Sequence, residues 1–207
     1  MPIMGAGQAA ASLDGSAVNP HYGRVAIWLH WLIGVAMLAE IAFGFLLDDI
    51  APRGTPARGG VINLHKSAGV VLVLLVAFRL AWRLAHRPPA WPRHMPRWKQ
   101  SAAISVHRAL YASMIVSPLA GYAASNFSRH GVRFFGLLLP PWGPDLPRVY
   151  AFLNGLHVAT SWLLALLVTV HVAAALKHGV IDRDGIFQRI RSRPHPGATS
   201  RAPAGNP

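Results

Sequence analysis

The stretch LHVATSWLLALLVTVH, residues 156–171, carries a histidine near its start and another at its end, with an apolar run between them. Fourteen residues are about 40° short of four helical turns, so His157 and His171 share one helix face, about 21 Å apart along the axis. An imidazole without a partner is costly in hydrocarbon, which makes histidines within a membrane span candidates for a functional site. The stretch therefore predicts a membrane helix that holds one group near each end.

The composition agrees with a membrane protein. Hydrophobic residues make up 53% of the 207 residues and charged residues 13%, which is too apolar for an ordinary soluble domain. The chain has a formal charge of +13, and its basic residues lie between apolar runs and in the C-terminal region. This distribution favours a membrane topology signal over a nucleic-acid-binding surface. The chain has no cysteine. Cysteine-ligated iron–sulfur clusters, disulfides and covalently attached c-type haem are therefore excluded.

Four apolar segments are each near the ~20 residues that cross a bilayer. They predict an all-α fold, a transmembrane four-helix bundle over residues 22–190. The predicted helices are 25–47, 62–84, 102–124 and 151–177. Residues 1–21 lack the pattern of a signal peptide and are predicted to be a disordered cytoplasmic leader. Residues 191–207 are predicted to be a disordered cytoplasmic tail.

The distribution of lysine and arginine predicts the orientation of the bundle. The loop 85–101 has four basic residues and the region from Lys177 onward has six, against two in 48–61 and three in 125–150. The positive-inside rule then places both termini and the middle loop in the cytoplasm.

Orientation converts sequence position into depth. His30 and His171 fall at one level near the cytoplasmic side, and His65 and His157 at another near the outer side. Two histidines that face each other between helices can supply both axial ligands of a haem, which predicts an inner and an outer haem. Small residues one turn after three of these histidines would leave space for a porphyrin, namely Gly34, Gly69 and Ala175.

Two other interpretations of the histidines remain open on the residues alone. A single histidine in an apolar helix is commonly a core residue with a hydrogen-bond partner. Imidazole also suits zinc and copper, but such a site usually has a carboxylate ligand, and Glu40 is the only acidic residue inside a predicted span. The pairing of four histidines by depth favours haem. The role of Glu40 is open between a protonated, hydrogen-bonded carboxyl group and part of a proton path.

Four segments resemble the helices of the bacterial dihaem cytochrome b561 family: IWLHWLIG, INLHKSAGVVLVLLVAFRLAWRL, VHRALYASMIVSPLAGY and LHVATSWLLALLVTVHVAAALKHGVIDRDG. The resemblance covers about residues 22–190. It implies a four-helix bundle in the inner membrane with two haem b groups. The matching histidines imply that His30 and His171 ligate the inner haem iron and that His65 and His157 ligate the outer haem iron, as the depths also predict.

Other residues near the predicted haems have two interpretations each. His107 and His178 are candidates for a quinone site, which the resemblance also implies near the cytoplasmic side, or they bond to backbone or headgroups. His107 is also an alternative ligand at the inner haem. Arg79 is a candidate partner of a haem propionate, or an arginine that snorkels to the interface. Interface anchoring is the expectation for the remaining basic residues of the spans, Lys66, Arg83 and Arg108.

The outer loop adds a candidate docking region for an electron donor. It combines an apolar stretch that could lie on the membrane surface with four basic residues, Arg129, His130, Arg133 and Arg148. A basic rim attracts small anions, and some members of the resembled family are described as superoxide oxidases that reduce ubiquinone. A solvated loop with incidental charge is the alternative.

The sequence therefore predicts a quinone-linked oxidoreductase, a dihaem cytochrome b that moves electrons between a periplasmic donor, of which superoxide is one candidate, and ubiquinone. One alternative is a membrane-anchor subunit that relays electrons for a periplasmic redox protein. Another is a haem-free transport or metal-binding protein. No pattern typical of hydrolases is present.

Overall fold

The computed structural model describes residues 22–86, 88–92, 95–129 and 131–191. The predicted leader, residues 1–21, lies outside this range, and so does the predicted tail beyond residue 191. Four basic residues of the predicted loops, Arg87, Arg93, His94 and His130, also lie outside it. The expectations for these segments stay predictions.

Four long helices form the body of the protein. They are α1 (Arg24–Phe45), α3 (Arg58–Ala85), α4 (Arg97–Asn126) and α5 (Pro147–Leu176), with a short helix α2 (Leu47–Ile50) after α1. Each long helix contains nearly all of a predicted span and most extend beyond it by several residues. The all-α prediction is confirmed in its main feature, although a small β-hairpin was not predicted.

Three of the helices are long and apolar enough to cross a membrane: α1, α3 and the helical segment Pro147–Asp182 that includes α5. Their leucine, valine and tryptophan side chains are largely exposed on the outside of the bundle, as at Leu38, Leu74 and Leu166. An outward apolar surface suits hydrocarbon as its solvent. The fourth long helix, α4, is long enough at 30 residues but is not among these three, and it carries Arg97, Lys99 and Arg108 in its first half.

The helices pack in chain order, α1 on α3, α3 on α4 and α4 most closely on α5. Buried side chains from all four helices meet in one apolar layer, formed by Ile33, Met37, Leu72, Val76, Leu110 and Leu164. Leu164 lies midway in sequence between His157 and His171, and Leu72 and Val76 lie between His65 and Arg79. The apolar layer therefore separates the two levels at which the sequence places histidines.

A two-stranded antiparallel hairpin follows α4, with β1 (Val132–Phe134) paired to β2 (Leu137–Leu139). Its two-residue turn has positive φ at Phe135 (45°) and Gly136 (97°), which is typical of a type I′ turn. A left-handed conformation costs a residue other than glycine about 1–2 kcal/mol. Phe135 is nevertheless 64% exposed, so packing inside the protein does not account for its presence there.

The start of α3 holds this hairpin in place. The Lys66 ammonium donates to the carbonyl of Gly131 at 3.0 Å, and the Phe135 amide donates to the buried Ser67 hydroxyl at 3.0 Å. The Arg133 amide donates to the Asn63 side chain at 3.1 Å. Lys66 therefore anchors the hairpin through a specific hydrogen bond, whereas the sequence predicted a general interface anchor.

Helix α5 changes geometry at its end. A π-helical turn, Lys177–Asp182, follows α5 and ends at Arg183, which has φ 47°. A short 3-10 helix, Phe187–Ile190, comes next, and the Trp31 indole donates to the carbonyl of Ile190 at 2.9 Å. This bond ties the segment after α5 to the first half of α1.

Candidate metal centres

The structure brings the four predicted histidines together as two facing pairs. The rings of His30 on α1 and His171 on α5 have centroids 6.1 Å apart and planes at 71°. The rings of His65 on α3 and His157 on α5 have the same separation, 6.1 Å, and the same angle, 71°. We call the first the Arg79 pair and the second the Glu40 pair, after the charged side chain that approaches each.

The separation within each pair fits one metal ion between two imidazoles. A metal–nitrogen bond of about 2.0 Å and about 1.1 Å from that nitrogen to the ring centre put the centroids of two opposed ligands about 6.2 Å apart. Both pairs lie at 6.1 Å, with the same angle between the ring planes. Direct edge contacts between rings also cover this range, about 4.5–7 Å, so it is the repetition of one geometry in two pairs of histidines that supports a metal.

Two glycines make room for the rings of the Glu40 pair. A Cβ atom at Gly121 would lie 3.0 Å from the Nδ1 atom of His157. A Cβ atom at Gly44 would lie 3.1 Å from the Cε1 atom of His65. The glycines named from the sequence behave differently, since a Cβ at Gly34 would meet nothing within 4 Å and one at Gly69 only ordinary contacts at 3.9 Å.

Helix α4 fixes the orientation of His157. The Nδ1 atom of His157 lies 2.8 Å from the carbonyl oxygen of Ser117 and 3.2 Å from its hydroxyl. That hydroxyl in turn lies 2.8 Å from the hydroxyl of Ser161. A carbonyl can only accept, so Nδ1 carries the proton and Nε2 keeps its lone pair for a metal. Ser117 was not predicted, and its serine character gives no signal of this role.

His65 has a charged neighbour instead. Its Nδ1 atom lies 2.7 Å from the Oε1 atom of Glu40. Both atoms are buried, and neither has a well-aligned hydrogen-bond partner among the described residues. Glu40 was left open by the sequence, and the structure places it directly against one of the paired histidines.

The Arg79 pair has a cationic neighbour. Arg79 donates to the hydroxyl of Tyr111 at 3.0 Å and to the carbonyl of Ala26 at 3.2 Å, and its Nη2 atom lies 3.3 Å from the Nδ1 atom of His30. The guanidinium therefore sits at this pair and not at the bundle surface. Tyr111 also carries the Arg83 guanidinium over its ring, 5.7 Å from the centroid. The sequence gave Tyr111 no role.

A third histidine lies beside the Arg79 pair. The His107 ring contacts His171 edge-on, with centroids 5.2 Å apart. Its Nδ1 atom lies 2.6 Å from the carbonyl oxygen of Ala103, one turn earlier on α4. The structure thus satisfies one nitrogen of His107 with its own helix, which agrees with the backbone-bonded interpretation of this residue.

His178 lies apart from these rings, in the π-helical turn. Its Nδ1 atom is 2.6 Å from Asp184, which also accepts the backbone amide of Ile186 at 3.1 Å. Together with Asp182 these residues form a group that could in principle bind a cation, but the Lys177 ammonium already pairs with Asp182 at 2.6 Å. The arrangement holds the His178 ring by Nδ1, and Nε2 has no hydrogen bond to the part of the chain that the structure describes.

The basic rim of the outer loop is partly neutralised. Arg129 donates to Asp145 at 2.6 Å, and this hydrogen bond raises the pKa of Arg129 above its ordinary value, so the pair stays charged. Arg133 and Arg148 are exposed. The described part of the rim therefore presents two arginines to solvent beside the hairpin.

The described structure thus combines two pairs of facing imidazoles with an apolar helical bundle, in a chain that has no cysteine. Comparison with known proteins gives the family. The family described as prokaryotic cytochrome b561 matches residues 21–193, so the chain belongs to the prokaryotic cytochrome b561 family. This confirms the resemblance drawn from the four helices. It makes the chain a haem-binding electron-transport protein that crosses the bacterial inner membrane several times.

Two relatives from Escherichia coli strain K12 are similar over nearly the whole bundle. Cytochrome b561 homolog 2 is 27% identical over 171 residues, which cover 82% of this chain and 90% of the relative. Cytochrome b561 homolog 1 is 24% identical over 173 residues, which cover 83% of this chain and 97% of the relative. The likeness therefore extends across all four long helices.

Proposed function

We propose that this chain binds two haem b groups and transfers electrons across the inner membrane between a periplasmic donor and the ubiquinone pool. The observation that carries the proposal is the presence of two histidine pairs with one geometry, 6.1 Å between ring centroids, on opposite sides of the apolar layer. The proposed axial ligands are His30 and His171 at the Arg79 pair, and His65 and His157 at the Glu40 pair.

The proposal includes four membrane spans with both termini in the cytoplasm. Helix α4 has 30 residues, enough to cross. Its buried face carries small side chains at Ser113, Ser117, Ala120 and Ala124, which allow close helix approach in membranes. This topology puts the Arg79 pair on the cytoplasmic side and the Glu40 pair on the periplasmic side.

Neighbouring residues hold the proposed ligands of the Glu40 pair in place. The carbonyl of Ser117 fixes the tautomer and ring plane of His157, and Gly121 and Gly44 let the rings of His157 and His65 approach their neighbouring helices. Bound haem would supply one-electron redox chemistry, with a potential that the protein tunes through ligands, burial and nearby charge.

Arg79 is proposed as the partner of a haem propionate. Ligation through Nε2 puts a proton on Nδ1 of His30, and two donors then face each other at 3.3 Å. The Nη2 group of Arg79 therefore needs another acceptor, and a propionate carboxylate suits the planar guanidinium.

His178 is the proposed contact for the quinone headgroup. Asp184 holds Nδ1, so Nε2 is available to a quinone carbonyl and to its proton. His107, the other candidate, packs edge-on against His171 and bonds to its own helix. We therefore assign the quinone contact to His178 and a supporting role to His107.

The donor is proposed to be a small anion such as superoxide, attracted to the exposed Arg133 and Arg148 near the Glu40 pair. The alternative is a relay subunit that serves a periplasmic redox protein. The haem-free interpretation of the sequence is not retained, because the family is one of cytochromes.

The first test is the haem content of the purified protein by pyridine haemochromogen assay, with protein quantified independently. We expect two haem b per chain, and one each in His30→Ala, His171→Ala, His65→Ala and His157→Ala. His86→Ala is the matched control, since His86 stacks on Trp82 at the end of α3 and should keep both. A single haem in the unaltered protein would contradict the proposal. So would the loss of haems with different spectra in His30→Ala and in His171→Ala, because both residues are proposed to hold the same haem.

The second test separates an enzyme from a relay subunit. We expect the purified protein to reduce ubiquinone when superoxide is generated enzymatically, and His178→Ala to slow this at least tenfold while both haems remain. A protein that holds two haems but reduces quinone only after a copurified partner is added would establish the relay function.

A further inference from the structure

The two histidine pairs share one geometry but have neighbours of opposite charge. At the Glu40 pair, a glutamate side chain lies 2.7 Å from the Nδ1 atom of His65. At the Arg79 pair, a guanidinium lies 3.3 Å from the Nδ1 atom of His30. Both contacts are made to Nδ1, so each leaves the Nε2 atom of its ring for the proposed iron.

The role of Glu40 follows from the chemistry of ligation. A neutral histidine that binds iron through Nε2 carries its proton on Nδ1. Oε1 of Glu40, 2.7 Å away, is then the acceptor that lies within reach of that proton. A carboxylate that accepts from a ligand histidine orients the ring and makes the ligand more basic.

The surroundings of Glu40 favour this contact over contact with water. The Glu40 and His65 side chains are 13% and 20% exposed, and the two facing atoms are buried. The absence of a Cβ atom at Gly44 lets the His65 ring come close to α1. His157, the other member of the pair, has only neutral partners at Ser117.

We infer that Glu40 is a positioning residue for His65 and that its negative charge lowers the reduction potential of the haem held by the Glu40 pair, below that of the haem beside Arg79. This inference rests on the proposed function. Negative charge near an iron favours its oxidised, more positive form, and a guanidinium near the other iron favours the reduced form. Electrons therefore run downhill from the Glu40 pair to the Arg79 pair, which under the proposed topology is inward toward the quinone.

The order of the two potentials is tested by redox titration of variants that keep one haem each. In His30→Ala the remaining haem should titrate at the lower of the two potentials of the unaltered protein. In His65→Ala the remaining haem should titrate at the higher one. The reverse order would overturn the inference, whereas fewer than two haems in the unaltered protein would overturn the proposed function itself.

The part played by Glu40 is tested by Glu40→Gln, with Asp49→Asn as a control that removes an exposed carboxylate of the same chain. Glu40→Gln should raise the lower potential by at least about 59 mV, which is a tenfold change in the one-electron redox equilibrium. It should also shift the low-spin ferric EPR signal of that haem. Asp49→Asn should change neither quantity. Two bound haems with unchanged potentials in Glu40→Gln would refute the role of Glu40.

A second variant covers the case in which Glu40→Gln loses haem. Glu40→Asp keeps the charge but withdraws it from the ring by one methylene. The lower potential should rise by less than about 59 mV, a change of less than tenfold in the redox equilibrium. The EPR signal of the same haem should shift. A potential and a spectrum both equal to those of the unaltered protein would show that the contact with His65 has no influence, and would overturn the inference.

Discussion

Replacing Gly121 by alanine should release the haem proposed at the Glu40 pair and leave the haem proposed at the Arg79 pair bound. The added Cβ would lie 3.0 Å from Nδ1 of His157 and 3.3 Å from its Cγ and Cε1 atoms. Carbon atoms pack best at about 3.5–4.0 Å, so the ring must move by roughly half an ångström. The Ser117 carbonyl that holds Nδ1 of His157 lies on the same helix, one turn before Gly121, so moving the ring away from the new Cβ also stretches that hydrogen bond.

The size of the effect follows from the cost of overpacking. An extra methyl group in a packed site costs about 1–3 kcal/mol, which corresponds to a roughly 5- to 150-fold loss of affinity. We expect the haem of the Glu40 pair to be lost on purification or on dilution with apo-myoglobin as a haem acceptor. The haem of the Arg79 pair should remain, and the pyridine haemochromogen value should fall from two toward one.

The control for this prediction lies on α5, two residues before His157. Gly155→Ala adds the same methyl group where nothing lies within 4 Å, and it should keep both haems. If Gly121→Ala also keeps both, with unchanged rates of transfer to the acceptor, the contact between Gly121 and the His157 ring does not constrain the site and the reasoning is wrong.

Three further predictions concern neighbouring features. Ser117→Ala should keep two haems, because the backbone carbonyl and not the hydroxyl holds His157; loss of one haem in the haemochromogen assay would give the hydroxyl that role. His107→Ala should also keep two haems, and a loss there would make it a ligand in place of His30. Phe135→Asn should raise stability by about 1 kcal/mol, measured by thermal unfolding in detergent, because asparagine tolerates the left-handed conformation better. No change would mean that Phe135 makes compensating contacts.

The sequence predicted the long helices and the residues that meet between them because membrane spans have strong, simple patterns. Spans near 20 residues bring His30 level with His171, and the basic loops predict which end of the bundle faces the cytoplasm. The helices α3 and α4 begin four or five residues earlier than predicted, at Arg58 and Arg97, since polar residues continue a helix where hydropathy has already fallen.

The sequence pattern did not predict the glycine–ring contacts, the hairpin or the π-helical turn, because these features depend on side-chain packing and local backbone geometry. Contacts of Gly44 and Gly121 with rings on other helices depend on how the helices rotate against one another. The hairpin escaped prediction because its type I′ turn is Phe135–Gly136 and not the Asn–Gly that marks such turns. His178 lies in a π-helical turn that begins at Lys177, where α-helical spacing from His171 no longer applies.

The apolar layer between the two pairs has an electrical consequence. The buried side chains that form it, among them Ile33, Leu72 and Leu164, carry no group that could pass a proton along. An electron that crosses this layer therefore crosses uncompensated, and the transfer does work on the membrane voltage, up to about 2.3 kcal/mol per 100 mV for a full crossing. In a cell whose interior is negative, the inward electron transfer of the proposed function works against the membrane potential. A large membrane potential should therefore slow the transfer, and loss of the potential should speed it up.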